Sequence, residues 1–203
     1  MQQYPSIPGS SKAPTGKPCI AFYKYDGSNL RWEWSPKQGW HKFGTRTQLF
    51  DATAEIYAAA IPIFLNTMAD EITARVKAEY KGIQRITAFT EYLGPNSFAG
   101  QHNPADQMEL RLLDVFLYKK GMMDAREFVH MFGDLPYAPQ IIYQGNLSRQ
   151  FIDAVRQSKD GAPYPVWEGV VCKGEDFVVK IKTDAYFKKL NEVYGTDYRL
   201  YWE

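Results

Sequence analysis

The sequence predicts an α+β fold built on largely antiparallel sheet. Three observations carry this. Short apolar runs with strand-like alternation occur in both the first and the last third of the chain. The helix-period segments lie among them without the strict strand-helix-strand alternation of a parallel sheet. The chain has 203 residues, 45% hydrophobic and 15% aromatic, enough for a well-buried core and incompatible with disorder.

Residues 1–18, rich in Pro, Gly, Ser and Lys, read as an extended N-terminal arm, and residues 19–203 as a single domain. Cys19 to Tyr23 is a strand, broken by Asp26-Gly27-Ser28. Leu30 to Trp34 alternates, turns at Pro36 to Gly39 and returns through Trp40 to Arg46, a hairpin. Thr53 to Asn66 and Asp70 to Gly82 carry helical spacing, with Asp70 placed to cap and Gly82 to stop. Arg85 to Tyr92 and Leu110 to Tyr118 read as strands, separated by a Gly94 to Pro104 loop that holds Asn96 and His102. Asp124 to Phe132 is a helix, Gln140 to Tyr143 a short strand and Ser148 to Gln157 a helix. The strands Val166 to Lys173 and Phe177 to Lys182 follow, then a helix from Asp184.

The formal charge of +1, split as +3 over the first hundred residues and −2 over the rest, excludes a partner attracted by bulk charge, so any nucleic-acid surface must be local. Cys19 and Cys172, in apolar segments far apart, fit buried reduced thiols of a cytoplasmic protein. The longest uncharged stretch, Ile56 to Ala69, is 14 residues with Pro62 inside it. That is short of the roughly 20 needed to span a bilayer, so no membrane partner is expected. A phosphate-cradling GxxxxGK[ST] loop and a GxGxxG fingerprint are both absent. His41, His102 and His130 have no metal-ligand spacing. Trp32, Trp34 and Trp40 suit either base stacking or, more commonly, packing against the sheet.

What remains is a constellation of lysines. Lys24 opens the turn Lys24-Tyr25-Asp26-Gly27-Ser28-Asn29 after an apolar strand. By itself it is a solvated turn lysine; beside other cations it becomes a nucleophile. Lys180 and Lys182 share one strand face, because side chains alternate. A three-residue loop at Gly174-Glu175-Asp176 would pair Glu168 with Lys182 and Val170 with Lys180, placing the carboxylate on the lysine face. A two-residue loop would pair Glu168 with Ile181 and turn the faces apart.

Lys24-Tyr-Asp26-Gly27-Ser-Asn29 resembles motif I of the covalent nucleotidyltransferases, the superfamily of ATP-dependent DNA ligases, RNA ligases and mRNA capping enzymes. Thr45-Arg46 falls where their motif Ia lies, Glu91-Tyr-Leu-Gly94 resembles motif III and Leu112-Leu-Asp114-Val motif IIIa. Glu168-Gly-Val-Val-Cys-Lys173 resembles motif IV, and Val179-Lys180-Ile-Lys182-Thr motif V. Asn29, where DNA ligases tend to have Arg, and the run Lys180-Ile-Lys-Thr-x-x-Tyr186 are more similar to RNA ligases. Leu113 departs from the pattern, standing where an adenine-stacking aromatic is common.

The resemblance implies a nucleotidyltransferase (adenylation) domain of the ATP-dependent ligase type, antiparallel sheets flanked by helices. Its activity would be RNA ligation of 5′-phosphate and 3′-hydroxyl ends through lysyl-AMP. Lys24 would attack the α-phosphate of ATP, with Lys180 and Lys182 offsetting phosphate charge. Glu91 would accept from the ribose hydroxyls, and Glu168 would place magnesium. Arg46, also an ATP-binding residue, and Asp26 would sit near the ribose and the 5′-phosphate end to be activated, Asn29 near that phosphate, and Phe116 or aliphatic groups would flank the base. A minimal DNA ligase and a non-catalytic module binding ATP or nucleic-acid ends are the alternatives. The 21 residues after Lys182 are too few for an OB-fold, so none is expected to follow and a partner domain or protein could supply nucleic-acid affinity.

Overall fold

Described in the computed structural model of the chain are residues 1–95, 105–159 and 161–198, and among them the strands are Pro18–Lys24 (β1), Ser28–Ser35 (β2), Gly39–Thr45 (β3), Leu49–Phe50 (β4), Ile86–Leu93 (β5), Glu109–Leu117 (β6), Gly121–Met122 (β7), Ile141–Asn146 (β8), Gly169–Lys173 (β9) and Val178–Lys182 (β10). The helices are Ala60–Thr67 (α1), Ala69–Glu79 (α2), Ala125–Phe132 (α3), Arg149–Arg156 (α4) and Asp184–Tyr194 (α5). The strands form two antiparallel sheets, ordered β4-β3-β2-β5-β6-β7 and β10-β9-β1-β8. The fold is therefore α+β, as the lack of strict alternation predicts. The loop residues Asn96 and His102 lie outside the described residues.

The chain divides into two units, each drawn from separated stretches: Met1–Pro5 with Gly27–Pro139, and Ser6–Asp26 with Gln140–Glu203. In the first, the six-stranded sheet turns Leu30, Trp32, Ile86, Ala88, Leu112 and Val115 toward α1, α2 and α3, whose Phe64, Ile72, Val76 and Phe132 are buried. Trp32 stacks on Phe64 at 4.3 Å between ring centroids, and its indole N–H donates to Thr90. Trp40 donates to the Ala69 carbonyl and to Thr73. The hairpin tryptophans are thus packing residues, the commoner fate of such rings.

Two helix boundaries differ from the sequence reading. The segment after Thr53 runs through turns, and α1 starts only at Ala60. Pro62 explains this: its ring tolerates the first turn of a helix, whereas further inside it would lose a hydrogen bond and strike a carbonyl of the preceding turn. Asp70 is not a cap but a first-turn residue of α2, where its charge opposes the helix dipole's positive end.

In the second unit, β1 is a central strand between β8 and β9. One face of this sheet, with Cys19, Ala21, Val170, Cys172, Val179 and Ile181, packs on Phe151, Ile152 and Val155 of α4. Both cysteines are buried free thiols. Ser148 caps α4 by accepting from the Phe151 amide. The expected arm is engaged with structure: Lys180 N–H donates to the Pro8 carbonyl, and Gly9 bridges Lys180 in parallel. Among the described residues, no helix is long and apolar enough to cross a membrane.

Candidate functional site

Of the sheet's two faces in the second unit, α4 takes the apolar one, and the other carries the lysines. Lys24 pairs with Gly169, and Gly169 pairs with Lys182, so one rung across β1, β9 and β10 reads lysine, glycine, lysine. Paired residues point to the same side of a sheet, so both lysines rise over a position with no side chain. Glu168 Oε1 lies 2.8 Å from Lys24 Nζ and 3.5 Å from Lys182 Nζ. The Glu168 and Lys182 side chains are 4% and 5% exposed, and that of Lys24 is 22% exposed.

The hairpin register that positions this cluster differs from both registers the sequence suggests. Lys180 pairs with Val171 and Lys182 with Gly169, not with Val170 and Glu168. The chain reverses over Glu175-Asp176, with the Gly174 N–H donating to the Phe177 carbonyl. The Phe177 ring packs where a Gly174 side chain would stand, 2.1 Å from an ideal Cβ. Strict alternation in this register would send Glu168 toward the apolar core. Gly169, at φ +143°, breaks the alternation and brings the carboxylate to the lysines. A Cβ there would sit 1.9 Å from the Ile181 carbonyl oxygen, so the position demands glycine.

Burial pulls the Lys182 ammonium down to about 8. Glu168 opposes that fall, and the neighbouring charges of Lys24 and Lys180 add to it. Thr183 joins the pieces. Its hydroxyl donates to the Trp167 carbonyl and accepts from the Tyr186 amide, capping α5, while its own N–H donates to the Glu168 carbonyl. The first turn of α5 then aims Tyr186, whose hydroxyl donates to Asp26 Oδ1 at 2.8 Å. The spacing Lys182-Thr-x-x-Tyr186 is thus a strand end, a cap and one helical turn.

In the first unit, Asn29, Glu91 and Arg111 form one rung across β2, β5 and β6, on the face opposite the helices. The Gly27 N–H donates to Glu91 Oε1 at 3.2 Å. A Cβ on Gly27 would lie 2.4 Å from the Tyr92 carbonyl oxygen, so the glycine of the Lys24-x-Asp26-Gly27 motif is a close-approach residue. Both amide atoms of Asn29 are buried and, among the described residues, have no hydrogen-bond partner. Arg46 is exposed in the turn after β3, where it donates to the Pro5 carbonyl.

Phe116 faces the same way as Asp114 but pairs with Thr87, four residues along β5 from Glu91, or roughly 13 Å. Leu113 falls at the bulge between Phe89 and Thr90. The aromatic group near Glu91 on this face is one the sequence reading missed: Tyr4. Its ring lies 4.9 Å from Phe89, and its hydroxyl donates to Asp114 Oδ2 at 2.6 Å. Burial, then the charges of Asp114 and Glu91, hold the phenol well above its ordinary pKa, against a smaller opposing effect of Arg46. Arg31, buried beneath the arm, donates to the Met1 and Gln2 carbonyls. No local signal marks Tyr4, a single aromatic in a Pro- and Ser-rich segment. Arg31 was readable only as the polar alternate of Trp32.

Among the described residues no three His, Cys, Asp or Glu side chains gather as a metal cage. A hydrated magnesium ion needs only one or two carboxylates with phosphate and water. Glu168, a buried carboxylate facing two ammonium groups, fits that sparse mode.

No protein-family model matches the chain, and no curated protein matches it in sequence. Solved structures do match in fold. Naegleria gruberi RNA ligase with PPi superposes with a TM-score of 0.68 at 15% identity, over 95% of this chain and 58% of that one. A mutant of the same ligase with AMP and Mn gives 0.68 at 14% identity, over 93% and 58%. Another mutant with ATP and Mn gives 0.66 at 13% identity, over 93% and 58%. The chain spans a little under three fifths of the length of these ligases and shares the fold of that part.

Proposed function

We propose that the protein is an ATP-dependent RNA ligase acting through lysyl-AMP. The observation that carries the reading is the rung Lys24-Gly169-Lys182 with Glu168 against both ammonium groups, on a fold shared with an RNA ligase. That the matched ligase was seen with ATP, AMP, PPi and Mn supports nucleotide and divalent-metal chemistry here.

In this reading Lys24 gives up its ammonium proton to solvent, the freed lone pair of Nζ forms a bond to the α-phosphorus of ATP, and the bond to pyrophosphate breaks. Lys180 and Lys182 offer positive charge to phosphate oxygens, so catalysis is positioning plus charge stabilisation. Glu168 would hold magnesium, which when bound neutralises phosphate charge. Glu91, acceptor-only and steadied by the Gly27 N–H, receives the ribose hydroxyls. The AMP then passes to a 5′-phosphate, and a 3′-hydroxyl displaces it to seal the strand. Asp26 is held by Tyr186, and it, Asn29 and Arg46 are the residues that the motif resemblance assigns to the nucleic-acid end. Asn29 supplies a buried amide whose nitrogen and oxygen have no hydrogen-bond partner among the described residues. For the base, Tyr4 and Phe89 lie nearer Glu91 on this face than Phe116 does.

The test is intact mass after incubation with ATP and magnesium. Wild type should gain one AMP and Lys24→Ala none; a variant that labels as well as wild type overturns the nucleophile assignment.

A further inference from the structure

Within the second unit, a groove of about 640 Å³ runs along α4 beside the chain of Gly9 to Thr15. Its lining includes Arg149 and Arg156 of α4 against one carboxylate, Asp153, and it reaches the edge of β10 at Lys180 and Lys182, whose side chains rise on the sheet's other face. The protein as a whole carries only +1, so this concentration of cations is local. Arg149, Asp153 and Arg156 recur at helical spacing on the exposed side of α4, away from the buried Phe151 and Val155. Ser10, Ser11 and Thr15 line the other side. The exposed pair of Arg156 with Asp184, 3.5 Å apart and half in solvent, contributes little energy and does not remove Arg156 from use.

We propose that this groove binds the phosphodiester backbone of the RNA substrate. The inference rests on the ligase reading and names where that substrate's strand lies. Two features favour a chain of phosphates over a single anion. Arg149 and Arg156 are seven residues apart, about 10 Å along the helix, so their guanidinium groups address separate phosphates. Guanidinium forks and hydroxyls both donate to phosphate oxygens, and the hydroxyls also suit a 2′-hydroxyl, which is donor and acceptor.

The test uses the full-length protein and the double variant Arg149→Gln/Arg156→Gln, which keeps helix propensity at exposed positions. Binding of a 5′-phosphorylated single-stranded RNA is measured by fluorescence anisotropy over a range of salt concentrations. Loss of two phosphate contacts should flatten the slope of log K against log salt by about 1.4, since each contact on a single strand contributes about 0.7. Sealing at subsaturating RNA should fall at least tenfold, while the rate of lysyl-AMP formation and its KM for ATP stay as in wild type. Lys37→Gln/Lys81→Gln, an equal loss of charge at exposed turns of the first unit, should leave the slope unchanged.

An unchanged slope in the arginine variant, or an equal flattening in the lysine control, overturns the groove. A raised KM for ATP with unaltered RNA binding would also overturn it, assigning the groove to the polyphosphate tail of the nucleotide. If wild type forms no lysyl-AMP, the ligase reading fails, and the salt slopes still decide the groove.

Discussion

Gly169 illustrates how one residue without a side chain organises chemistry carried by its neighbours. Its positive φ swings Glu168 out of strand alternation, and its missing Cβ leaves room for the Ile181 carbonyl. Gly169→Ala should therefore cost about 3 kcal/mol or more of stability, combining backbone strain with a steric clash. Gly9→Ala, at ordinary φ with nothing within 4 Å, should cost less than 1 kcal/mol, both variants being compared with wild type by urea titration. Tyr4 gives the second prediction at this scale. Tyr4→Phe keeps the ring against Phe89 but removes the donor to Asp114, and should lower stability by about 1–2 kcal/mol. A loss under a few tenths would mean the arm does not hold that face. That Lys24, Glu168 and Lys182 come together was legible, because charged residue types in that order mark a candidate site. Tyr4 was not, because its role comes wholly from a contact 110 residues away in sequence.

At the scale of elements, β10 matters through what its alternation puts on each face: Val179 and Ile181 in the core, Lys180 and Lys182 opposite. Lys182 thereby becomes a buried cation, pulled down to about 8 by burial against the attraction of Glu168. The sign of the stability effect follows. Between about pH 8 and the ordinary lysine value the unfolded chain holds the proton and the folded one has released it, so stability rises with pH through that window. Relative to Lys182→Met, wild type should gain urea resistance from pH 7.5 to 10. Parallel pH curves for the two proteins would show that the ammonium is not depressed. The lysine face was readable from alternation alone, whereas the register was not. Loop length depends on which residues close the turn, and that was settled by the Phe177 ring covering Gly174 rather than by the count of turn-forming residues.

At the scale of the molecule, each unit combines stretches remote in sequence. The second needs β1 from the first part of the chain, since removing it separates β8 from the β9-β10 hairpin. A fragment beginning at Gln140 should therefore be largely unfolded by circular dichroism, because an isolated hairpin is marginal in water, and a peptide of residues 6–26 should restore structure. A folded fragment would show β1 to be dispensable. Substrate choice also belongs here. Nicks with ribose on the 3′-hydroxyl strand should seal faster than all-DNA nicks, and the reverse would make the protein a DNA ligase with the same lysyl-AMP chemistry. By itself the sequence determined the α+β class, most strands and helices, and the lysines with their carboxylate, because periodicity and residue chemistry are local properties. Only the tertiary structure decided the register of the last hairpin, the place of Tyr4 and the basic groove along α4, because each depends on which distant segments come to lie side by side.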